Sequence, residues 1–211
     1  MTSLADYLKK SPLIAILRGI RPEEVVAARD ALIEAGFRIV EVPLNSPQPL
    51  ESLRLLAAQT DAETLIGAGT VLTVDDVYAV AETGARLIVA PNADPAVIAR
   101  AKSLGLFCLP GVATPSEAFV ALKAGADGLK LFPAEGLSPA VMKAWLAVLP
   151  AGTLLVPVGG ISMENMAGYR AAGAAGFGLG SSLYKPGVST AELKERAFNF
   201  VRRYREIQSR P

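Results

Sequence analysis

Short apolar runs recur along the chain, each followed by a longer stretch in which apolar residues return at helical spacing. The runs occupy residues 13–17, 39–44, 65–71, 87–90, 106–109, 129–132, 154–158 and 177–183. Their length and their bounding turn residues predict strands, and the stretches between them predict helices. The helical stretches also carry start and stop signals. Proline or an acidic residue opens them at Arg21-Pro22-Glu23-Glu24, Asp94-Pro95, Thr114-Pro115-Ser116-Glu117 and Ser138-Pro139, and glycine follows their last turns at Gly36, Gly84, Gly105, Gly125 and Gly173. Proline is tolerated in a first turn because its missing N–H would have no partner there, and glycine takes the left-handed cap conformation without a Cβ clash.

Gly84, Gly105 and Gly125 are spaced by about 20 residues, the length of one compact strand–helix unit. Eight such units predict an α/β fold: a (β/α)8 TIM barrel in a single domain, residues 1–211, with an extra helix ahead of the first strand. A doubly wound open sheet fits less well, because only Arg18-Gly19 follows the first run where a Gly-x-Gly-x-x-Gly turn would stand. No linker, low-complexity tract or charge run marks a second domain.

Strand residues in a barrel alternate between the interior and the helix layer. The first run therefore puts Ile14, Ile16 and Arg18 on one inner face. In the second, Val40, Val42 and Leu44 face the helices and turn Glu41, Pro43 and Asn45 inward; in the sixth, Leu129 and Leu131 do the same for Lys130 and Phe132. Three ionisable side chains thus converge near the C-terminal ends of strands, where barrel active sites lie. The plain alternative is a structural ion network of Glu41 with Arg18 or Lys130. Burying three charges, however, costs several kcal/mol unless a function retains them. A lysine among Phe132, Leu and Val side chains and near Arg18 is expected to favour its neutral amine, the form that attacks a carbonyl to make a Schiff base.

Two glycine-rich segments close the last two runs, Val158-Gly159-Gly160-Ile161-Ser162 and Gly178-Leu179-Gly180-Ser181-Ser182. Loops at this place in barrels hold phosphates through backbone N–H groups that only glycine lets approach closely, so a phosphorylated sugar or sugar acid is the expected ligand. Thr70, in Gly67-Ala68-Gly69-Thr70-Val71, either satisfies a loop backbone group or helps Arg18 hold a carboxylate. Pro91-Asn92 and Pro110-Gly111 read as wall and turn residues, and Trp145 as helix packing.

Composition removes other classes. The chain has 211 residues, 51% of them hydrophobic, with 21 basic against 20 acidic side chains and a net charge of +1, so no cationic face for nucleic acid is expected. Histidine is absent, which excludes histidine-based nucleophile systems and the commonest zinc ligand. Whatever chemistry occurs must use Glu, Asp, Lys, Tyr or Arg. The lone cysteine, Cys108, sits in an apolar run and is expected to pack as a small hydrophobe. The N-terminus has no long apolar region and no stretch approaches the roughly 20 residues of a membrane span, so a cytoplasmic protein with no membrane partner is expected. A mean hydropathy of +0.36 is high for a soluble chain and makes a homo-oligomer plausible.

Four segments carry a resemblance: Ile-Leu-Arg-Gly around Arg18, Glu-Val-Pro-Leu-Asn-Ser-Pro from Glu41, Gly-Ala-Gly-Thr-Val-Leu around Thr70, and Leu-Lys-Leu-Phe-Pro-Ala around Lys130. Together, from about residue 12 to about 187, they resemble the class I aldolases that cleave 2-keto-3-deoxy-6-phospho sugar acids. The resemblance implies a metal-independent, cofactor-free lyase in which Lys130 forms the Schiff base and Glu41 is the general acid/base. It also implies that Arg18 and Thr70 bind the substrate carboxylate, that Gly159, Gly160, Gly180 and Ser181 bind phosphate, that Phe132 and Pro91 line the pocket, and that the chain forms a homotrimer with pyruvate as a product. Asn45 and Val158 resemble the galactonate-type branch of that family, in which they replace the Arg and Thr typical of the gluconate type. Val158 offers no hydroxyl to bond a C4 hydroxyl, which removes one preference without creating the opposite one. Still open are the gluconate epimer or 4-hydroxy-2-oxoglutarate as substrate, a phosphosugar epimerase or isomerase, and a non-catalytic phosphosugar-binding barrel.

Overall fold

The computed structural model describes residues 3–209; residues 1–2 and 210–211, the ends of the expected 1–211 domain, lie outside the described residues. Helix α1 (Leu4–Lys10) leads into β1 (Leu13–Ile16), α2 (Pro22–Ala35), β2 (Ile39–Pro43), α3 (Pro49–Ala58), β3 (Leu65–Gly69), α4 (Val74–Ala81), β4 (Leu87–Val89) and α5 (Pro95–Ser103). There follow β5 (Phe107–Leu109), β6 (Gly111–Val112), α6 (Pro115–Lys123), β7 (Leu129–Leu131), a 3-10 turn (Ala134–Gly136), α7 (Pro139–Leu146), β8 (Leu155–Pro157), α8 (Met166–Ala171), β9 (Phe177–Leu179) and α9 (Thr190–Gln208). Helices α2, α5, α6 and α7 begin at the prolines the sequence marks, and the five glycines expected to end helices all have positive φ.

All strand pairs are parallel, in the orders β5-β4-β3-β2-β1-β9 and β6-β7-β8. This is an α/β fold with a curled parallel sheet. The two sheets meet at both sides. The chain passes from β5 into β6 through Pro110, whose carbonyl accepts the Lys130 N–H at 2.8 Å. On the other side Val158 bridges Gly178 in parallel, and the Ala175 N–H donates to the Leu155 carbonyl at 2.9 Å.

The expected strand limits shift for local reasons. The fifth run continues past Leu109 as β6, because Gly111 allows the chain to pass against the Pro91 carbonyl, where a side chain would collide. The eighth run, expected to reach Leu183, stops at Leu179: the Gly180 carbonyl accepts the N–H groups of Leu183 and Tyr184, both at 2.9 Å, and turns the chain. The third run ends at Gly69, followed by Thr70 at a φ of 57°.

Alternation along the strands separates two hydrophobic clusters. Ala15, Val40, Val42, Ile66, Ala68, Ile88, Leu129, Leu131, Leu155 and Leu179 pack against the helices together with Trp145. Ile14, Ile16, Ile39, Leu65, Leu87, Val89, Phe107, Leu109, Val156 and Val158 face one another on the inner side. Leu4, Tyr7 and Leu8 of α1 join this inner cluster from the N-terminal ends of the strands. Tyr7 meets Phe107 edge to face with centroids 6.0 Å apart, and its hydroxyl donates to the Ala62 carbonyl at 3.1 Å. Polar side chains therefore gather at the opposite, C-terminal ends. No helix of the described residues is long and apolar enough to cross a membrane.

Candidate active site

Lys130 sits at the centre of β7, paired in register with Gly111 and Val156. Its neighbours Leu129 and Leu131 are fully buried among the helices, so the pleat forces the lysine inward. Only 5% of it is exposed, and Nζ lies 4.5 Å from the centroid of the Phe132 ring, whose π face partly replaces lost hydration. Burial is the largest influence on its pKa and pushes it down; Glu41 opposes this and Arg18 adds to it.

Glu41 occupies the corresponding place on β2, opposite Ile16 and Gly67, and is 2% exposed. Burial pushes its pKa up, against the pull of Lys130 and Arg18. Its Oε2 is buried without a hydrogen-bond partner. Among the described residues no salt bridge closes on Glu41 or Lys130, so the structural ion network weighed from the sequence is not what holds these groups. Gly69 makes room for the carboxylate: a methyl group there would stand 2.5 Å from Oε1. An uncompensated carboxylate beside a depressed amine is costly for stability and suited to moving protons.

A cavity of about 670 Å³ opens over Lys130. Arg18, Phe132, Val158, Gly159, Gly160, Gly180 and Ser181 all line it. Gly159 and Gly160 have φ of 100° and 62°, a region that side chains other than glycine rarely adopt. Glu41 does not itself line the cavity; its charge acts on Lys130 from β2. Asn45 stands behind Arg18, accepting from its Nη1 at 2.5 Å. Thr70 is half-buried at the end of β3, and Pro91 packs against Gly111; neither lines the cavity.

Reasoning from the sequence missed Glu135, Tyr184, Lys185 and Pro186, all on the cavity wall. The Glu135 side chain lies directly against Gly159 and Gly160, and Tyr169 anchors its turn by donating to the Ala134 and Leu137 carbonyls at 2.8 and 2.9 Å. Pro186 lies under Gly19, where an added methyl would come within 2.7 Å of its ring, so the loops after β1 and β9 touch across the mouth. The available signals were a charge two residues beyond Pro133 and a lysine just after the Ser181-Ser182 hydroxyls.

The sequence matches the family described as KDPG and KHG aldolase over residues 4–198. The chain belongs to this family. It is 50% identical over 193 residues to the probable 2-dehydro-3-deoxy-6-phosphogalactonate aldolase of Rhizobium meliloti (strain 1021), covering 92% of this chain and 91% of that one. It is 49% identical over 201 residues to the 2-dehydro-3-deoxy-6-phosphogalactonate aldolase of Escherichia coli (strain K12), covering 95% and 98%. Among solved structures, one described as native KDPGal superimposes with a TM-score of 0.93 at 48% identity, over 95% of this chain and 98% of that one.

In this aldolase the lone thiol stands outside the chemistry. Cys108 is buried in the helix-facing cluster, and burial together with Asp127 pushes its pKa up to about 12. Tyr184 is likewise pushed up to about 12, by burial and by Glu24, so its hydroxyl keeps its proton at the cavity wall. No group of three or more His, Cys, Asp or Glu among the described residues is arranged to hold a metal ion.

Proposed function

We propose that this aldolase cleaves 2-dehydro-3-deoxy-6-phosphogalactonate to pyruvate and glyceraldehyde 3-phosphate through a Schiff base on Lys130, without a cofactor. The observation that carries this reading is the buried Lys130 at the floor of the cavity, its ammonium form disfavoured and no salt bridge restoring it, with the unpartnered Glu41 carboxylate nearby. The names of the two relatives support the galactonate epimer. Val158 lines the cavity without a hydroxyl for a C4 substituent, which is compatible with that epimer and removes a gluconate-type contact without creating the opposite preference.

In this mechanism the neutral Lys130 amine adds to the C2 ketone, and the carbinolamine loses water to give an iminium. Glu41, through water, shuttles protons in that dehydration and then takes the proton of the C4 hydroxyl. The C3–C4 bond breaks, its electron pair moves into the iminium, and glyceraldehyde 3-phosphate leaves. The enamine takes up a proton at C3, and water releases pyruvate and the free lysine. Arg18 receives the substrate carboxylate, and the amides of Gly159, Gly160, Gly180 and Ser181 receive the phosphate. Phe132 confines the chain of the substrate.

The frame of this site is read as one single-domain (β/α)8 barrel with α1 as an extra helix, the ring closing through Pro110 on one side and the Val158–Gly178 bridge on the other. The working form is a homotrimer in the cytoplasm; exposed side chains such as Phe119, Val120 and Val148 supply apolar surface for sister subunits.

The test is pyruvate release from the galactonate and gluconate epimers with one enzyme preparation. The expected result is a kcat/KM ratio of at least about tenfold in favour of the galactonate epimer, about 1.4 kcal/mol in the transition state, with no release from either by K130M. Equal or reversed rates overturn the epimer assignment, and turnover surviving in K130M overturns the nucleophile.

A further inference from the structure

We propose that Asn45 is a positioning residue: it acts through Arg18, holding the guanidinium in the orientation that receives the carboxylate of a 2-keto acid, and does not read the C4 hydroxyl. This rests on the Schiff-base reading of the site and deepens it.

The hydrogen bond from Arg18 Nη1 to Asn45 Oδ1 is 2.5 Å long. A guanidinium has only donors, so the amide atom facing it is necessarily the oxygen, and the bond is charge-assisted. Both side chains are exposed, so without this bond the long Arg18 arm would sweep the mouth of the cavity. The frame behind Asn45 is firm. Its neighbour Ser46 is buried and accepts the N–H of Gly19 at 2.9 Å, so two consecutive residues after β2 grip two consecutive residues after β1. Gly19 is in turn backed by Pro186. Arg18 gives one donor to this bond and itself lines the cavity, which Asn45 does not.

Position and contact thus divide the two residues that the sequence groups as specificity markers. Val158 faces the cavity, whereas Asn45 reaches it only through a guanidinium. A ligand that has the carboxylate and lacks C4 altogether separates the two roles, and pyruvate is such a ligand.

The experiment traps pyruvate on the protein with borohydride and reads the half-saturating pyruvate concentration for wild type, N45A, R18A and the double variant. Expected is a rise of roughly three- to tenfold for N45A, the net scale of one solvent-exposed hydrogen bond, with no further rise when N45A is added to R18A. The KM values for both phosphorylated epimers should rise by the same factor and leave their kcat/KM ratio unchanged. Because Asn45 is exposed, N45A should melt with the wild type. A half-saturating concentration unchanged in N45A, an N45A effect undiminished in the R18A background, or an epimer ratio shifted by threefold or more each overturns the proposal while the Schiff-base reading stands. A wild-type protein that traps no pyruvate overturns both.

Discussion

Glu41 and Lys130 each stand where the fold disfavours the charged form, and the two costs have opposite pH dependence. The depressed Lys130 takes up its proton less readily in the folded chain than in the unfolded one. Its cost is therefore full below the folded pKa, shrinks as pH rises, and vanishes above the ordinary 10.5. The raised Glu41 costs nothing below its ordinary 4.5, and the cost grows as pH rises from there to the folded pKa. Near neutral pH both are paid. The double variant E41Q/K130M should accordingly unfold in urea at higher stability, by about 1–3 kcal/mol, with a flatter dependence on pH. A double variant less stable than wild type would make the pair a structural one. The inward placement of both residues was legible from Val40 and Val42, and from Leu129 and Leu131, which needed the helix side of the sheet. Glu135 and Lys185 were not legible in this way, since each lies beyond a strand end, where no alternation assigns a face.

At the scale of elements, the turn after β8 is built for close approach. Gly160 combines a φ of 62° with the Glu135 side chain packed where a Cβ would go. Replacing it by alanine strains the backbone by on the order of 1–3 kcal/mol and pushes the amides out of line. G160A should raise KM for the phosphorylated substrate about tenfold or more while leaving borohydride trapping of pyruvate, which has no phosphate, at wild-type half-saturation. An equal loss in both assays would assign the turn to the carboxylate end instead. Helix starts were readable because proline and the capping residues act locally, as in the box of Thr114 and Glu117. Strand ends were less readable. Apolar content marks a buried segment, but the ladder stops where the chain turns, at Gly180, or continues where a neighbouring loop lets it, at Gly111.

For the molecule as a whole, α1 and the cavity sit at opposite ends of the same strands. Tyr7 packs on Phe107 and bonds to Ala62, far from Lys130 along the sheet, so Y7A should cost about 3–5 kcal/mol of stability and leave kcat per folded molecule unchanged. Urea unfolding and low-temperature turnover on the same sample check both halves, and a fall in kcat would show that the two ends are coupled. The sequence announces a helix before the first strand, but nothing local says that Leu4, Tyr7 and Leu8 meet residues from β2, β3 and β5, since those contacts exist only once the sheet has curled. The pairing of Leu13 with Phe177 and of Ala15 with Leu179 carries the same logic into biosynthesis. A chain emerging from the ribosome can dock β2 on one edge of β1 early, but the other edge waits until β9, more than 160 residues later, has been made. Throughout that interval an apolar strand presents unsatisfied amides and carbonyls to solvent, which makes this edge the place where a stalled or truncated nascent chain would aggregate and where a chaperone would have most to shield.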